Sequence, residues 1–230
     1  MMGEIMNKYK VLITGTTQGI GRAIAIKFLN EGHEVYGMDR QPSSIHDYST
    51  YHHIVCDVRD KEKFPHFNFH FDIIINNAGT QNEDDININL RGVLNITEHY
   101  LSDDIKSVLM IGSASAHSGD EFPEYVASKS GLLGYTKNVA RRIAHLQATC
   151  NSLDFGGVIT ELNKPILEDK ECWDKIMDVT PMKRWMEPEE AADWAYFVTV
   201  INKGMTGECL WINNGEGLIN NFVFPGYGGL

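Results

Sequence analysis

The sequence predicts an α/β fold, a doubly wound and mostly parallel sheet of seven strands with helices on both faces. Two observations carry that prediction. Apolar runs of strand length alternate along the chain with segments of helical period, which calls for parallel strands joined by crossover helices. The run 71–76, FDIIIN, is apolar without alternation, as in a strand covered on both faces.

Residues 10–14 (KVLIT) read as the first strand, followed by a glycine-rich turn and a helix over 20–30. In that helix Ile20, Ile24 and Phe28 share one face, and Gly32 supplies the usual stop. Segments 34–38, 53–56 and 71–76 are the next three strands. A helix over 88–100 leads to a fifth strand at 107–112, and a long helix over 124–145 to a sixth at 148–152. A helix over 189–200 and a strand at 208–213 (ECLWIN) complete the pattern.

The chain has 230 residues, 43% hydrophobic and 22% charged, enough to bury a sizeable core without staples. No repeat or linker interrupts it, so 1–230 reads as a single domain. The formal net charge of -11 argues against a nucleic-acid partner, because phosphate binding needs clustered Lys and Arg. No apolar run approaches the roughly 18 residues of a membrane span, and no signal peptide is visible. A cytoplasmic protein without a membrane partner is expected. Cys56, Cys150, Cys172 and Cys209 form no C-x-x-C pair and read as free thiols.

Residues 14–21, TGTTQGIG, fall between the first strand and the first helix. Glycines there let the backbone approach a pyrophosphate, and the helix N-terminus offers free N–H groups and a favourable dipole. Gly15, Gln18, Gly19, Ile20 and Gly21 are therefore candidate nucleotide contacts in a Rossmann-type site. Asp39 ends the second strand, where a carboxylate accepts from both adenosine ribose hydroxyls and repels a 2′-phosphate. Gln18 adds no positive charge, so NAD is favoured over NADP. Arg40 is the counterweight, since a guanidinium could stack on adenine or hold a phosphate.

Further motifs follow: DV at 57–58, NNAG at 76–79, NLRGV from Asn89, IGS ending at Ser113, YVASK at 125–129 and TGECLWINNG at 206–215. In this order, from about 10 to 214, they resemble the short-chain dehydrogenase/reductase family. Tyr125 and Lys129 are four apart and project from one helical face. A phenol's ordinary pKa is about 10; a nearby ammonium and a positive nicotinamide ring lower it. Tyr125 can then exchange a proton with an alcohol or ketone oxygen as hydride moves. Ser113 would polarise that oxygen. Ser115 is the alternative, because the segment between Ser113 and Tyr125 is a residue short.

The resemblance implies further roles. Lys129 also binds the nicotinamide ribose, and Asn89 bends its helix and holds a water in a proton relay. Asp57, beside Val58, meets the adenine amino group. Asn77, Ala78 and Gly79 fix backbone next to the nucleotide, and Val158 and Thr160 lie near the carboxamide. Phe155 stands where family members carry a proline. The segments 57–76 and 77–89 are short, so a helix is reduced and one wall of the pocket thinned.

No metal is expected, because His52–His53 and His66-x-x-x-His70 lack partners at ligand spacing. The run Glu83-Asp84-Asp85 reads as a solvated helix start. His117 is either a specificity contact or solvent-facing. Residues 161–181 are expected to form a lid, and 222–230, with Phe224, to fold back on the pocket or an interface. The expected function is NAD(H)-dependent interconversion of a small secondary alcohol and a ketone. Alternatives are an NADPH-dependent 3-oxoacyl reductase, which Asp39 opposes, and a non-catalytic redox sensor, which the intact Ser113, Tyr125 and Lys129 oppose. A homodimer or homotetramer is implied, with Leu133, Thr136 and Ala140 as an apolar stripe on the exposed face of the long helix.

Overall fold

A computed structural model describes residues 8–218; the expectation for 222–230 lies outside them. All seven strands are parallel: β1 (Lys10–Thr14), β2 (Glu34–Asp39), β3 (Tyr51–Val55), β4 (Ile73–Asn76), β5 (Ser107–Ile111), β6 (Thr149–Phe155) and β7 (Cys209–Ile212). Their order is β3-β2-β1-β4-β5-β6-β7. The winding reverses between β1 and β4, and the crevice outside their carboxyl ends is the usual ligand position in such sheets.

Residues of successive sign on each strand feed opposite cores. Val11, Ile13, Ile73, Ile75, Leu109 and Leu153 pack on one face, under α1 (Gly19–Asn30) and the helix Pro188–Tyr196. Leu12, Ile74, Val108 and Met110 pack on the other. That face carries α2 (Val93–Tyr100), α3 (Ser115–Ser118) and α4 (Pro123–Ile143). Both faces being covered explains why 73–75 is isoleucine throughout, each residue fully buried and contributing roughly 1.5–3 kcal/mol. Pro123 opens α4 at a position where its missing N–H costs nothing. Gly32 stops α1 at φ +87°.

The connection from β3 to β4 holds only the short 3₁₀ turn Lys61–Lys63. Phe64, Phe67, Phe69 and Phe71 cover the sheet where a helix is reduced; Phe67 meets Phe71 at 5.1 Å and Phe71 meets Tyr100 at 5.5 Å. Residues 161–181 fold as a 3₁₀ turn, α5 (Lys164–Glu168) and α6 (Lys170–Val179), followed by α7 (Pro188–Tyr196). α6 starts on Asp169, whose carboxylate accepts from the Glu171 and Cys172 N–H groups.

Three expectations are corrected. β6 runs on to Phe155 instead of ending at Ser152, because Ser152 and Asp154 find buried partners and Phe155 pairs in register with Ile212. The stripe on α4 is not exposed: Thr136 and Ala140 are buried, and only Leu133 is partly open. Asp85 is not solvated. It is fully buried and accepts from Thr80 Oγ1 and the Asn82 N–H, both at 2.9 Å.

Candidate active site

The turn after β1 is built around close backbone approach. Gly15 has φ +75°, and a Cβ there would lie 2.7 Å from Asn77 Nδ2. A Cβ on Gly21 would overlap the Gly15 carbonyl, so Gly21 serves helix–strand packing and is not part of the cavity wall. Asn77 Nδ2 donates to the carbonyls of Thr14 and Gly15 at 2.9 and 3.0 Å. Thr14 Oγ1 accepts from the Asn77 and Ala78 N–H groups, both at 3.0 Å. Asn76 points away, donating to Thr97 Oγ1. No side chain caps the N-terminus of α1, leaving its first N–H groups free for an anion.

A cavity of about 570 Å³ opens over this turn. Of the expected residues its walls include Gly15, Gln18, Gly19, Ile20, Asp39, Arg40, Asp57, Val58, Asn77, Ala78, Gly79, Tyr125, Lys129 and Thr160. Val158 is not brought there: it is buried, bridged to Met186, and its carbonyl accepts from Asn163 Nδ2. Asp39 accepts from Thr17 N–H at 3.1 Å, Thr17 Oγ1 at 2.9 Å and Gln41 N–H at 2.9 Å. Asp57 is gripped by Arg59, with Nη2 at 2.7 Å and Nε at 3.0 Å, and Arg59 continues to Asp84 at 2.9 Å. The guanidinium holds the Asp57 carboxyl below its ordinary range.

At the far end Tyr125 and Lys129 project from α4, with Lys129 Nζ 5.7 Å from the Tyr125 ring centre. Lys129 is buried and donates to the Ile111 carbonyl at 2.9 Å. Burial pulls its ammonium down to about 8, opposed by the charges of Asp154, Asp85 and Glu121. Burial also pushes the Tyr125 phenol up to about 12, with Ser113 acting the other way. The polypeptide alone therefore raises the phenol rather than lowering it. Ser113 Oγ accepts from both Ser115 Oγ, at 2.8 Å, and Ser115 N–H, at 3.2 Å. Asn89 lies in a π-helical segment, Ile86–Gly92. Its Oδ1 accepts from Thr80 N–H at 2.8 Å, and its Nδ2 donates to the Thr80 carbonyl at 2.9 Å and to Ser128 Oγ at 3.3 Å.

Residues 15–216 match the family model described as enoyl-(acyl carrier protein) reductase. The chain belongs to the short-chain dehydrogenase/reductase family. It is similar to the 3-oxoacyl-[acyl-carrier-protein] reductase FabG of Buchnera aphidicola subsp. Acyrthosiphon pisum, 28% identical over 93% of this chain and 99% of the relative. Among solved structures it resembles the aldohexose dehydrogenase of Thermoplasma acidophilum, with TM-score 0.83, 24% identity and coverage of 96% and 98%. A 4-hydroxyisoleucine dehydrogenase complexed with NADH gives TM-score 0.80 at 23% identity, covering 93% and 100%. These two likenesses establish the fold. As a short-chain dehydrogenase/reductase the protein is an oxidoreductase acting on CH–OH groups, in a family that binds a nicotinamide dinucleotide.

The residues present fit such a cofactor. Gly15 leaves no room for a Cβ against Asn77 and Ala78, so bare backbone lines the cavity there, and the uncapped α1 N-terminus borders the same cavity as Asp39. Sequence reasoning missed several members of this site: Thr17 and Gln41, which orient Asp39; Arg59, which holds Asp57; and Asp85, which ties down the loop after Gly79. Asp85 was visible only as one member of a charge run. It also missed Asp154, fully buried, whose Oδ2 lies 2.6 Å from His117 Nε2. Among the described residues no group of three His, Cys, Asp or Glu could hold a metal, and no helix is long and apolar enough to cross a membrane.

Proposed function

We propose that this chain is an NAD(H)-dependent short-chain oxidoreductase that interconverts a small secondary alcohol and a ketone. One observation carries the reading. A single cavity joins Asp39, an acceptor-only carboxylate at the ribose end, to Tyr125 and Lys129 at the other. An ionised carboxylate at the end of β2 receives ribose hydroxyls and repels a 2′-phosphate. It also disfavours the NADPH-dependent 3-oxoacyl reductase alternative. The redox-sensor alternative leaves the half-buried Tyr125 and the buried Lys129 without a task.

When bound, the nicotinamide accepts or supplies the hydride and, in its oxidised form, brings a positive ring to the site. Tyr125 faces the reacting oxygen and takes its proton in oxidation or returns it in reduction. A phenol raised to about 12 by burial needs cationic neighbours to act near neutral pH. Lys129 supplies one of them and also holds the nicotinamide ribose. Ser113 Oγ, with two donors already directed at it from Ser115, keeps its own O–H for the substrate oxygen. Asn89 locks Thr80 to α4 through Ser128 and serves the proton relay through its remaining Oδ1 lone pair. Gly15, Gln18, Gly19 and Ile20 cradle the pyrophosphate, and Asp57 receives the adenine amino group alongside Arg59. Thr160 meets the carboxamide end.

We further assign 1–230 as one cytoplasmic nucleotide-binding domain that acts as a homodimer or homotetramer, with 161–181 as its lid; Glu161 and Leu162 already line the cavity. The test is a turnover screen with NAD and NADP over alcohols, sugars, steroids and acyl thioesters, paired with cofactor titrations read by tryptophan fluorescence. NAD(H) is expected to bind more tightly than NADP(H). Equal or tighter NADP binding would make Arg40 a phosphate ligand and reverse the cofactor assignment. In Tyr125→Phe, cofactor affinity is retained while turnover falls about 10²–10⁴-fold; near-normal turnover would return the sensor alternative.

A further inference from the structure

Asp154 is a fully buried carboxylate that the reaction above leaves without a role. It lies near the end of β6, on the sheet face covered by α4. Ser152 Oγ donates to its Oδ1, and Oδ2 faces His117 Nε2 at 2.6 Å. The carboxylate is pressed against Gly112, where a Cβ would overlap Oδ1, so only glycine fits between β5 and this acid. Gly112 separates Ile111, whose carbonyl anchors Lys129 at 2.9 Å, from Ser113. The acid thus stands behind the stretch of backbone that carries both the lysine's anchor and the serine.

We propose that Asp154, held by His117, is a positioning residue for Lys129: its buried carboxylate keeps the ammonium charged and directed at the Ile111 carbonyl and Tyr125. The inference rests on the role given to Lys129 above. The charges of three carboxylates act on Lys129 from three elements: Asp154 from β6, Asp85 from the start of the π-helical segment and Glu121 from the loop before α4. Burial works against the ammonium, and of these acids Asp154 opposes it most. All three acids hold hydrogen bonds of their own, Asp85 to Thr80 and Asn82 and Glu121 to Gln81, but Asp154 is the one packed against Gly112, next to the carbonyl that anchors the lysine. A buried ammonium without a countercharge loses its proton readily, whereas an opposite charge nearby favours the charged form.

His117 completes the arrangement. Its ring lies flat on Trp211, with centres 4.9 Å apart and planes at 13°, so the imidazole is held in place while Nε2 meets Asp154. Burial pushes the Asp154 carboxyl up, and Ser152 and His117 hold it back. Loss of His117 therefore lets Asp154 take up a proton more readily, and Lys129 then loses the largest of the charges that support it.

The test is NMR titration of the full chain labelled at lysine Cε, with the Lys129 signal assigned by its disappearance in Lys129→Met. The wild-type midpoint is expected near 8. Asp154→Asn is expected to lower it by about one to three units, and His117→Asn to lower it by less. A midpoint unmoved in folded Asp154→Asn overturns the proposal. Should that variant fail to fold, His117→Asn at its partly exposed position decides the matter, and an unmoved midpoint there overturns it equally. A merely structural role for Asp154 predicts lower stability with no change of midpoint. No substrate enters the measurement, so its outcome is separate from whether the proposed turnover is found.

Discussion

Lys129 combines burial with a positive charge, and its titration follows from that conflict. The folded-state value, near 8, lies below the ordinary 10.5, so the unfolded chain binds this proton more tightly. Stability rises with pH wherever the unfolded state holds more protons. Below about 8 the penalty is therefore fully present, and it is relieved between about 8 and 10.5. Thermal melts are expected to show the wild type gaining stability relative to Lys129→Met across that window; a constant difference would mean that burial does not govern this lysine. The serines are a second case at this scale. Spacing left Ser115 as an alternative to Ser113; in the structure Ser115 donates to Ser113, and the two roles are told apart by mutation. Ser113→Ala is expected to lower kcat by about 10²–10³-fold. Ser115→Ala removes one orienting bond worth about 1 kcal/mol and should cost less than about tenfold. A larger loss in Ser115→Ala than in Ser113→Ala would exchange their roles.

The glycine turn and the start of α1 act as one element with the end of β4. Gly21 packs against the Gly15 carbonyl, and Asn77, just after β4, donates to that same carbonyl. Gly21→Ala forces these apart, and overpacking of this kind costs about 1–3 kcal/mol. Chemical denaturation should report that loss, together with weakened cofactor binding, because the pyrophosphate cradle moves with the turn. Unchanged stability would mean that the turn yields more easily than its contacts suggest. The loop 80–85 is a comparable unit, tied to its helix by the Asp85 carboxylate. Asp85→Ala leaves the Asn82 N–H and Thr80 Oγ1 without their acceptor, at about 1–3 kcal/mol. Element existence was legible because periodicity lies along the chain. The end of β6 was not, since an aspartate near a strand end reads as a turn until its buried partners are known.

Assembly belongs to the whole molecule. With Thr136 and Ala140 turned into the core, α4 presents Gly134, Lys137, Asn138 and Arg141 outward. Lys137 and Arg141 put charge into any contact formed through this helix, beside Ala127 and the partly open Leu133, and interactions between exposed charges weaken with salt. Light scattering is expected to find a dimer or tetramer at low salt, with a shift toward monomer at high salt. A monomer under every condition would count against the oligomer, and a salt-independent mass against α4 as its interface.

The order of strands and helices, the glycine turn and the Tyr125–Lys129 pair were determined by the sequence alone. Each depends on spacing within a few residues, and helical or strand period converts that spacing directly into a shared face. Partnerships between distant residues were decided only by the tertiary structure. His117 and Asp154 are 37 positions apart, and Arg59 and Asp84 are 25 apart. Asp84 and Asp85 are neighbours of identical chemistry, yet one is partly open to solvent beside Arg59 and the other is fully buried and bonded to Thr80. Charge is written in the sequence, but burial and the partner that satisfies it depend on which strand ends the sheet brings together.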